Sequence, residues 1–351
     1  MKKVLVIFGG ASSEYEVSLN SASSVIKNIP GDKYEVLKMG ITRQGEWFLF
    51  SGSADDLPGD KWLADPSKLT PAVVSPDRAC HGIIRTATGE TEKIDVIFPV
   101  LHGKNGEDGT IQGLFQLSGI PYVGCDTLGS AVCMDKAMTN TIADCYGIAQ
   151  AKWRATDRYS YRKAPEKTLD DVIGYLGFPI FVKPANAGSS VGITKAGSRE
   201  ELAKAIETAF EHDKKVVFEE GIDGYEVECA VLGNEEPVAS VIGEIVPCND
   251  FYDYDAKYLA NRTELHIPAR LPAEKSEEVR EAACRAYRAL GCAGMARVDF
   301  FVRKSDGAVL LNEPNTLPGF TSISMYPKLF EASGVPYSEL LDRLICLAAE
   351  R

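Results

Sequence analysis

The chain has 351 residues, 45% of them hydrophobic, enough to bury a substantial core and to form two or three domains. A net charge of −12 argues against a nucleic-acid backbone as partner, because the lysines and arginines are spread thinly, and favours a small-molecule substrate. Nine cysteines with no Cys-x-x-Cys pair resemble neither a disulfide framework nor a zinc site, and they fit a reducing compartment, the cytoplasm.

The apolar run Val4–Phe8 stops at Gly9-Gly10, too short for a secretion signal and far short of a membrane span. It predicts a buried parallel strand feeding a glycine turn, then a helix over Leu19–Ile29 ended by Pro30-Gly31. The third glycine of a dinucleotide fingerprint is absent, which excludes a nicotinamide site. Glu14 and Glu16, taken alone, are ordinary carboxylates at a helix start. Residues 51–92, polar with Pro and Asp clusters, are expected to be an excursion with little chemistry. A second strand, Ile94–Leu101, ends in the glycine-rich loop His102–Gly109 and leads to another helix. Ligands collect at the carboxyl ends of strands in open α/β sheets, so His102 is placed either to meet substrate or to be satisfied by backbone.

From Asp126 to Tyr146 the pattern predicts one helical stretch, with a domain boundary near residue 128. The strand ending in Lys183 is followed by the small-residue loop Pro184–Gly192, whose backbone N–H groups can face an anion while the lysine supplies a charge; it is not a Walker A loop. A plain hairpin loop is the alternative. Val216–Glu219 predicts a strand whose edge can read an adenine. Strands over Val227–Leu232 and Val238–Val246 precede Pro247–Arg262, rich in aromatic and acidic residues. That segment suits a lid closing over substrate or, equally, a packing loop. A helix from about Glu274 to Leu290 leads to a hairpin, Arg297–Asn315, turning at Asp306-Gly307. Alternation puts Arg297 with Asp299 on one face of the first strand and Glu313 with Asn315 on one face at the end of the second, so the four can converge: two carboxylates and an amide oxygen make an all-oxygen site suited to Mg²⁺ beside an anion-binding arginine. A solvated surface hairpin is the bland alternative, against which Pro314 marks a strand end. The last helix is expected near Tyr337–Ala349.

Six stretches in order carry a resemblance: Gly9-Gly-x-Ser-x-Glu14-x-Glu-Val-Ser18, Leu101-His-Gly-x-x-Gly-Glu-Asp-Gly109, Met134-Asp-Lys136, Lys183-Pro with Gly188–Gly192, Tyr254-x-x-Lys257-Tyr258, and Asn312-Glu-x-Asn-Thr-x-Pro-Gly319. Together they resemble the D-alanine:D-alanine ligases of the ATP-grasp superfamily; the early part also resembles the D-alanine:D-serine resistance ligases, which keeps a D-serine acceptor as the alternative. The resemblance implies an α/β ATP-grasp fold of three domains: a Rossmann-like substrate domain (1–128), a central domain (129–220), and a C-terminal domain with metal site and lid (221–351). It implies ATP-dependent joining of two D-alanines through an acyl phosphate, for peptidoglycan precursor synthesis, by a cytoplasmic homodimer with neither nucleic acid nor membrane as partner.

For the residues, it implies that Asp299, Glu313 and Asn315 hold two Mg²⁺ ions, with Mn²⁺ as a substitute. Lys136, Lys183 and Ser190 of the 185–192 loop would take ATP phosphates, and Glu219, Glu220, Ile222 and Glu226 the adenine and ribose. Glu14 would bind the first ammonium and, with Ser189 and Tyr258, close the lid. Arg297 and the Gly319 N–H would stabilise the oxyanion. His102, Lys257, Ser324 and Met325 would surround the second substrate, where the Met325 thioether suits a methyl better than a hydroxymethyl group. A non-catalytic nucleotide-binding regulator would lose the metal ligands, and all three are present.

Overall fold

Three β-sheets organise the protein, seen here in a computed structural model that describes residues 1–188, 191–246 and 264–351. The first sheet contains β1 (Lys2–Gly9), β2 (Tyr34–Ile41), β3 (Trp47–Phe50), β4 (Leu69–Val74), β5 (Gly82–Arg85), β6 (Thr91–Lys93) and β7 (Val96–Val100), in the order β6-β5-β4-β3-β2-β1-β7. Its β1 runs parallel to both β2 and β7. Val4, Val6 and Phe8 enter one apolar cluster and Leu5 and Ile7 another, so β1 is buried on both faces and reads as an unbroken apolar run.

Three expectations need correction. Helix α1 (Tyr15–Asn28) begins four residues before Leu19 and puts Glu14 at its N-cap. Its first turn is drawn in by Ser18, which accepts from the Gly9 N–H (2.7 Å) and donates to the Val100 carbonyl, tying the helix to the ends of β1 and β7. Residues 51–92 are no excursion: they supply β4, β5 and β6, which extend the sheet by antiparallel pairing. These strands are too short for a period-2 signal to stand out. After α2 (Thr110–Ser118), the single helix expected at 126–146 is two, α3 (Thr127–Met134) and α4 (Lys136–Cys145). The break is Asp135, whose extended backbone lets its carboxylate accept from the N–H groups of Ala137 and Met138 and cap α4.

The second sheet, ordered β10-β9-β11-β8, consists of β8 (Trp153–Asp157), β9 (Ile180–Pro184), β10 (Thr194–Ala196) and β11 (Lys215–Glu220). Helices α5 (Arg158–Lys163), α6 (Pro165–Leu176) and α7 (Arg199–His212) share its apolar core. The third sheet is antiparallel, β14-β13-β12-β15-β16, from β12 (Gly224–Gly233), β13 (Val238–Val246), β14 (Glu264–His266), β15 (Gly294–Arg303) and β16 (Val309–Asn315). Helix α8 (Ala273–Ala289) covers one of its faces through Val279, Ala283, Ala286 and Tyr287. Helix α9 (Met325–Ala332) lies on β12 and β13, with the Tyr326 hydroxyl donating to the Val231 carbonyl (3.0 Å), and α10 (Tyr337–Ala349) then returns to the first sheet, where Leu340, Leu341 and Leu344 join Val25, Ile29 and Tyr34 in one cluster. Asp342 reinforces the return by accepting from the Tyr34 hydroxyl (2.8 Å) and Lys33 Nζ (2.7 Å). No helix among the described residues is long and apolar enough to cross a membrane.

Trp62, from the polar segment 51–92, is 1% exposed. It stands edge-on to Phe8 (5.2 Å between centroids) and Phe50 (6.0 Å), and its Nε1 donates to the Tyr15 hydroxyl (3.1 Å). Trp62→Ala should therefore lower stability by about 3–5 kcal/mol. Urea unfolding checks this; a loss below about 1 kcal/mol would contradict the packing role.

Candidate functional site

The β15/β16 hairpin sets the centre of the site. Arg297 pairs with Asn315 and Asp299 with Glu313 across the two strands, while Ala296, Val298 and Phe300 on the other face are buried in the core beneath α8. Between Asp299 and Phe300 the register slips, leaving Asn312 as the extra residue of a bulge that re-aims the end of β16. The four expected residues do converge. Arg297 donates to both Asp299 oxygens (2.8 and 2.7 Å) and approaches Glu228 at 3.1 Å; Asn315 Nδ2 donates to Asp299 Oδ2 (3.0 Å). Burial opposes the Arg297 charge, but Asp299, Glu228 and Glu313 outweigh it and hold its pKa well above the ordinary arginine value.

Two clefts meet at this hairpin and share Glu228 and Glu313. Lys183, Glu219, Glu220, Ile222 and Glu226 line one, together with Phe301 and Asn312. Lys183 Nζ donates to Glu219 Oε2 (2.6 Å); burial works against its charge, yet Glu219 prevails and raises the lysine pKa. Glu220 accepts from the Lys152 N–H (2.8 Å), which joins β11 to the start of β8.

The second cleft is lined by Glu14, His102, Arg297, Gly319, Ser324 and Met325, with Lys136 and Asn315 at its junction with the first. Lys136 Nζ donates to the Ala187 carbonyl (2.9 Å) and lies 3.5 Å from Glu313 Oε2. Its backbone N–H donates to the Ala185 carbonyl (3.0 Å), so the small-residue loop is fastened to the start of α4. Glu14 is 7% exposed and wedged between two glycines: a Cβ at Gly103 would sit 2.5 Å from its Oε2, and one at Gly188 would sit 2.9 Å away. Ser324 Oγ is engaged with the Thr321 N–H (3.0 Å) and hydroxyl (2.8 Å). Met325, 6% exposed, presses against Gly243, where a Cβ would collide with its methyl group. Ser189, Ser190, Lys257 and Tyr258, with the expected lid at 247–262, lie outside the described residues.

His102 is less free than its sequence context suggests. Its Nδ1 bonds the Leu317 carbonyl (2.9 Å) and its Nε2 the Ser21 hydroxyl (3.3 Å), and burial lowers its pKa although Glu14 and the Leu317 carbonyl pull the other way. Sequence reasoning misses Glu107, Glu228 and Asn312, although Glu107 lies in the loop that ends β7 and Glu228 follows Glu226 on the same face of its strand. Glu107 accepts from the Gly103 N–H (2.7 Å) and the Leu317 N–H (3.3 Å). Burial first, and then the charge of Glu14, push its pKa up to about 8.

Among the described residues no three His, Cys, Asp or Glu side chains cluster as a preformed metal site. Asp299, Glu313 and Asn315 nevertheless fit a hard divalent cation that takes part of its shell from substrate phosphates, because they offer oxygen donors from adjoining strands beside the Lys136 and Lys183 charges.

Comparison with known proteins gives a consistent outcome. Residues 3–125 match the family described as D-ala D-ala ligase N-terminus, and residues 142–346 match D-ala D-ala ligase C-terminus. The D-alanine–D-alanine ligase of Acetivibrio thermocellus is 51% identical over 362 aligned positions, covering 100% of this chain and 96% of that protein. The ligase of the same name from Caldicellulosiruptor bescii is 50% identical, covering 99% and 95%. Among solved structures, the VanG D-Ala:D-Ser ligase from Enterococcus faecalis superposes with a TM-score of 0.91 at 46% identity, covering 99% of both chains. The D-alanine-D-alanine ligase from Coxiella burnetii gives 0.87 at 34% identity, covering 100% and 96%.

The Glu107 geometry predicts a pH effect. Its folded pKa, about 8, lies above the ordinary value of 4.5, so its stabilising contribution is complete below that value and lost as pH rises through about 8. Glu107→Gln keeps the shape without the titration. Between about pH 5 and 8 its Tm should fall less than that of the parent; parallel Tm–pH curves would contradict the burial assignment.

Proposed function

The chain belongs to the D-alanine–D-alanine ligase family, and from that premise we propose that it joins two D-alanines at the expense of ATP, through an acyl phosphate. The observation that carries the proposal is the meeting of the two clefts at Arg297, Asp299, Glu313 and Asn315. One cleft offers the Lys183 charge and the apolar walls of Phe181, Ile222 and Phe301; the other offers the Glu14 carboxylate for an ammonium and Arg297 for an anion, with Lys136 beside Glu313 where the two meet.

Chemistry assigns the steps. A carboxylate oxygen leaves badly and a phosphate leaves well, so the carboxylate of the first D-alanine takes the γ-phosphoryl group before the amine of the second attacks its carbonyl carbon. Lys136 and Lys183 would hold ATP phosphates, exchanging their present carboxylate partners for phosphate oxygens. Glu219, Glu220, Ile222 and Glu226 would bind the adenine and ribose. Asp299, Glu313 and Asn315 would hold two Mg²⁺ ions, which supply charge neutralisation for the phosphates when bound. Glu14 would orient the first D-alanine by its ammonium. As the second amine attacks, charge grows on the carbonyl oxygen, and Arg297 with the Gly319 N–H would meet it; because Asp299 already fixes the guanidinium, little reorganisation is needed. Ser189, Ser190, Lys257 and Tyr258 keep their family roles in the phosphate loop and lid. A homodimer acting on small molecules in the cytoplasm completes the proposal.

D-Serine is the alternative acceptor, raised by the VanG neighbour. Burying its hydroxyl without a partner costs roughly 1–3 kcal/mol, and the buried Met325 thioether offers none.

Two outcomes test the proposal. Glu313→Gln should lower turnover by about 100-fold or more with the fold intact; near-parental phosphate release at saturating Mg²⁺ would remove Glu313 from the metal site. With ATP, D-alanine and equal amounts of D-serine and D-lactate, chromatography should show D-alanyl-D-alanine as the main product. D-alanyl-D-serine should be a minor product, disfavoured on the order of 10²-fold, and the lactate ester negligible. An excess of the serine dipeptide would replace D-alanine by D-serine as acceptor.

A further inference from the structure

Ser21 lies on α1, outside the motif positions given a role above, and is fully buried. Its hydroxyl closes a ring of hydrogen bonds around the turn that carries Gly319. The Leu317 carbonyl can only accept, so His102 Nδ1 carries the proton of their 2.9 Å bond; burial lowers the ring's pKa, and in the neutral ring Nε2 presents a lone pair. The Ser21 hydroxyl donates to that lone pair (3.3 Å), which leaves its oxygen free to accept the Phe320 N–H (3.2 Å). Each bond in the ring thus has one permitted direction, and the histidine is held as a single neutral tautomer.

The turn is tethered elsewhere too. Glu107 accepts from the Leu317 N–H (3.3 Å), and the Tyr337 hydroxyl donates to the Phe320 carbonyl (3.0 Å). Pro318 has a fixed φ, and a Cβ at Gly319 would come within 2.7 Å of Ser324 Oγ, so the turn has little slack between its tethers. An N–H that stabilises a developing oxyanion is effective only if it is oriented beforehand.

We propose that Ser21 is a positioning residue for the amide-forming step: through His102 and Phe320 it fixes the 317–320 turn so that the Gly319 N–H faces the carbonyl attacked by the second amine. The proposal rests on the ligase function above. Phosphorylation of the first carboxylate creates no tetrahedral carbon, so it should depend on this turn far less than amine attack does.

Rapid-quench single turnovers with ATP and saturating D-alanine separate the two steps. In the parent, ADP and dipeptide should appear together. In Ser21→Ala, ADP should form at a rate within about two-fold of the parent while dipeptide lags by about 10-fold or more. Ser21→Cys, which keeps a donor at this position but a weaker and larger one, should fall between them. Ser23→Ala, on the same helix but outside the ring, should match the parent. Equal slowing of ADP and dipeptide, or no slowing of either in a Ser21→Ala protein with parental Tm, would overturn the positioning role. A parent that makes no ADP in response to D-alanine would instead overturn the ligase function, and this proposal with it.

Discussion

A guanidinium surrounded by carboxylates is the constraint on which the rest of the site depends. Arg297, beside Asp299 and Glu228 and within the field of Glu313, is a buried cation whose charge depends on these carboxylates being held around it. Keeping all of them in place requires a rigid frame. The frame is the pairing of β15 with β12 on one side and β16 on the other, which sets Asp299 opposite both Glu228 and Glu313. A one-residue slip of β15 would turn Arg297 and Asp299 into the apolar layer under α8, so the core itself selects the register that builds the site.

The same economy holds at the other cations. Lys183 and Lys136 are satisfied by Glu219, Glu313 and the Ala187 carbonyl. Under the proposed function, a polyphosphate would exchange partners with these lysines rather than desolvate bare charges. Asp135 contributes from behind by capping α4 and pairing with Lys215 at 2.5 Å.

Much of this arrangement is legible in the order of the amino acids alone. The β15/β16 hairpin announces itself because an Asp-Gly turn separates two runs of alternating character, and alternation assigns Arg297, Asp299, Glu313 and Asn315 to a common end. Strand β1 is legible because burial on both faces leaves no polar positions. What escapes such reading is determined by contacts distant in sequence. The first turn of α1 mixes buried Tyr15 and Val17 with polar Glu16 and Ser18, and it is drawn into a helix by Ser18 bonds to β1 and β7. The strands within 51–92 are short and add only a few core residues, Ala72, Val74 and Ile83, so it is their pairing across the sheet that defines them. Glu107 and Ser21 gain their meaning only when Leu317 and Phe320 arrive from more than two hundred residues away. The bulge at Asn312, which aims Glu313, has no signature in a single sequence.

The return of α10 to the first sheet has a consequence for how the protein is made. Val25, Ile29 and Tyr34 find their apolar partners in Leu340, Leu341 and Leu344, while Arg351 donates to the Tyr122 and Gly124 carbonyls. On a ribosome adding about 5–20 residues per second, those partners emerge roughly 15–60 s after α1 does. During that interval the first sheet must wait with one flank of α1 uncovered. An element made early is thus finished late, and a chain stalled before Tyr337 would present an adhesive surface to the chaperones and proteases that survey unfinished proteins.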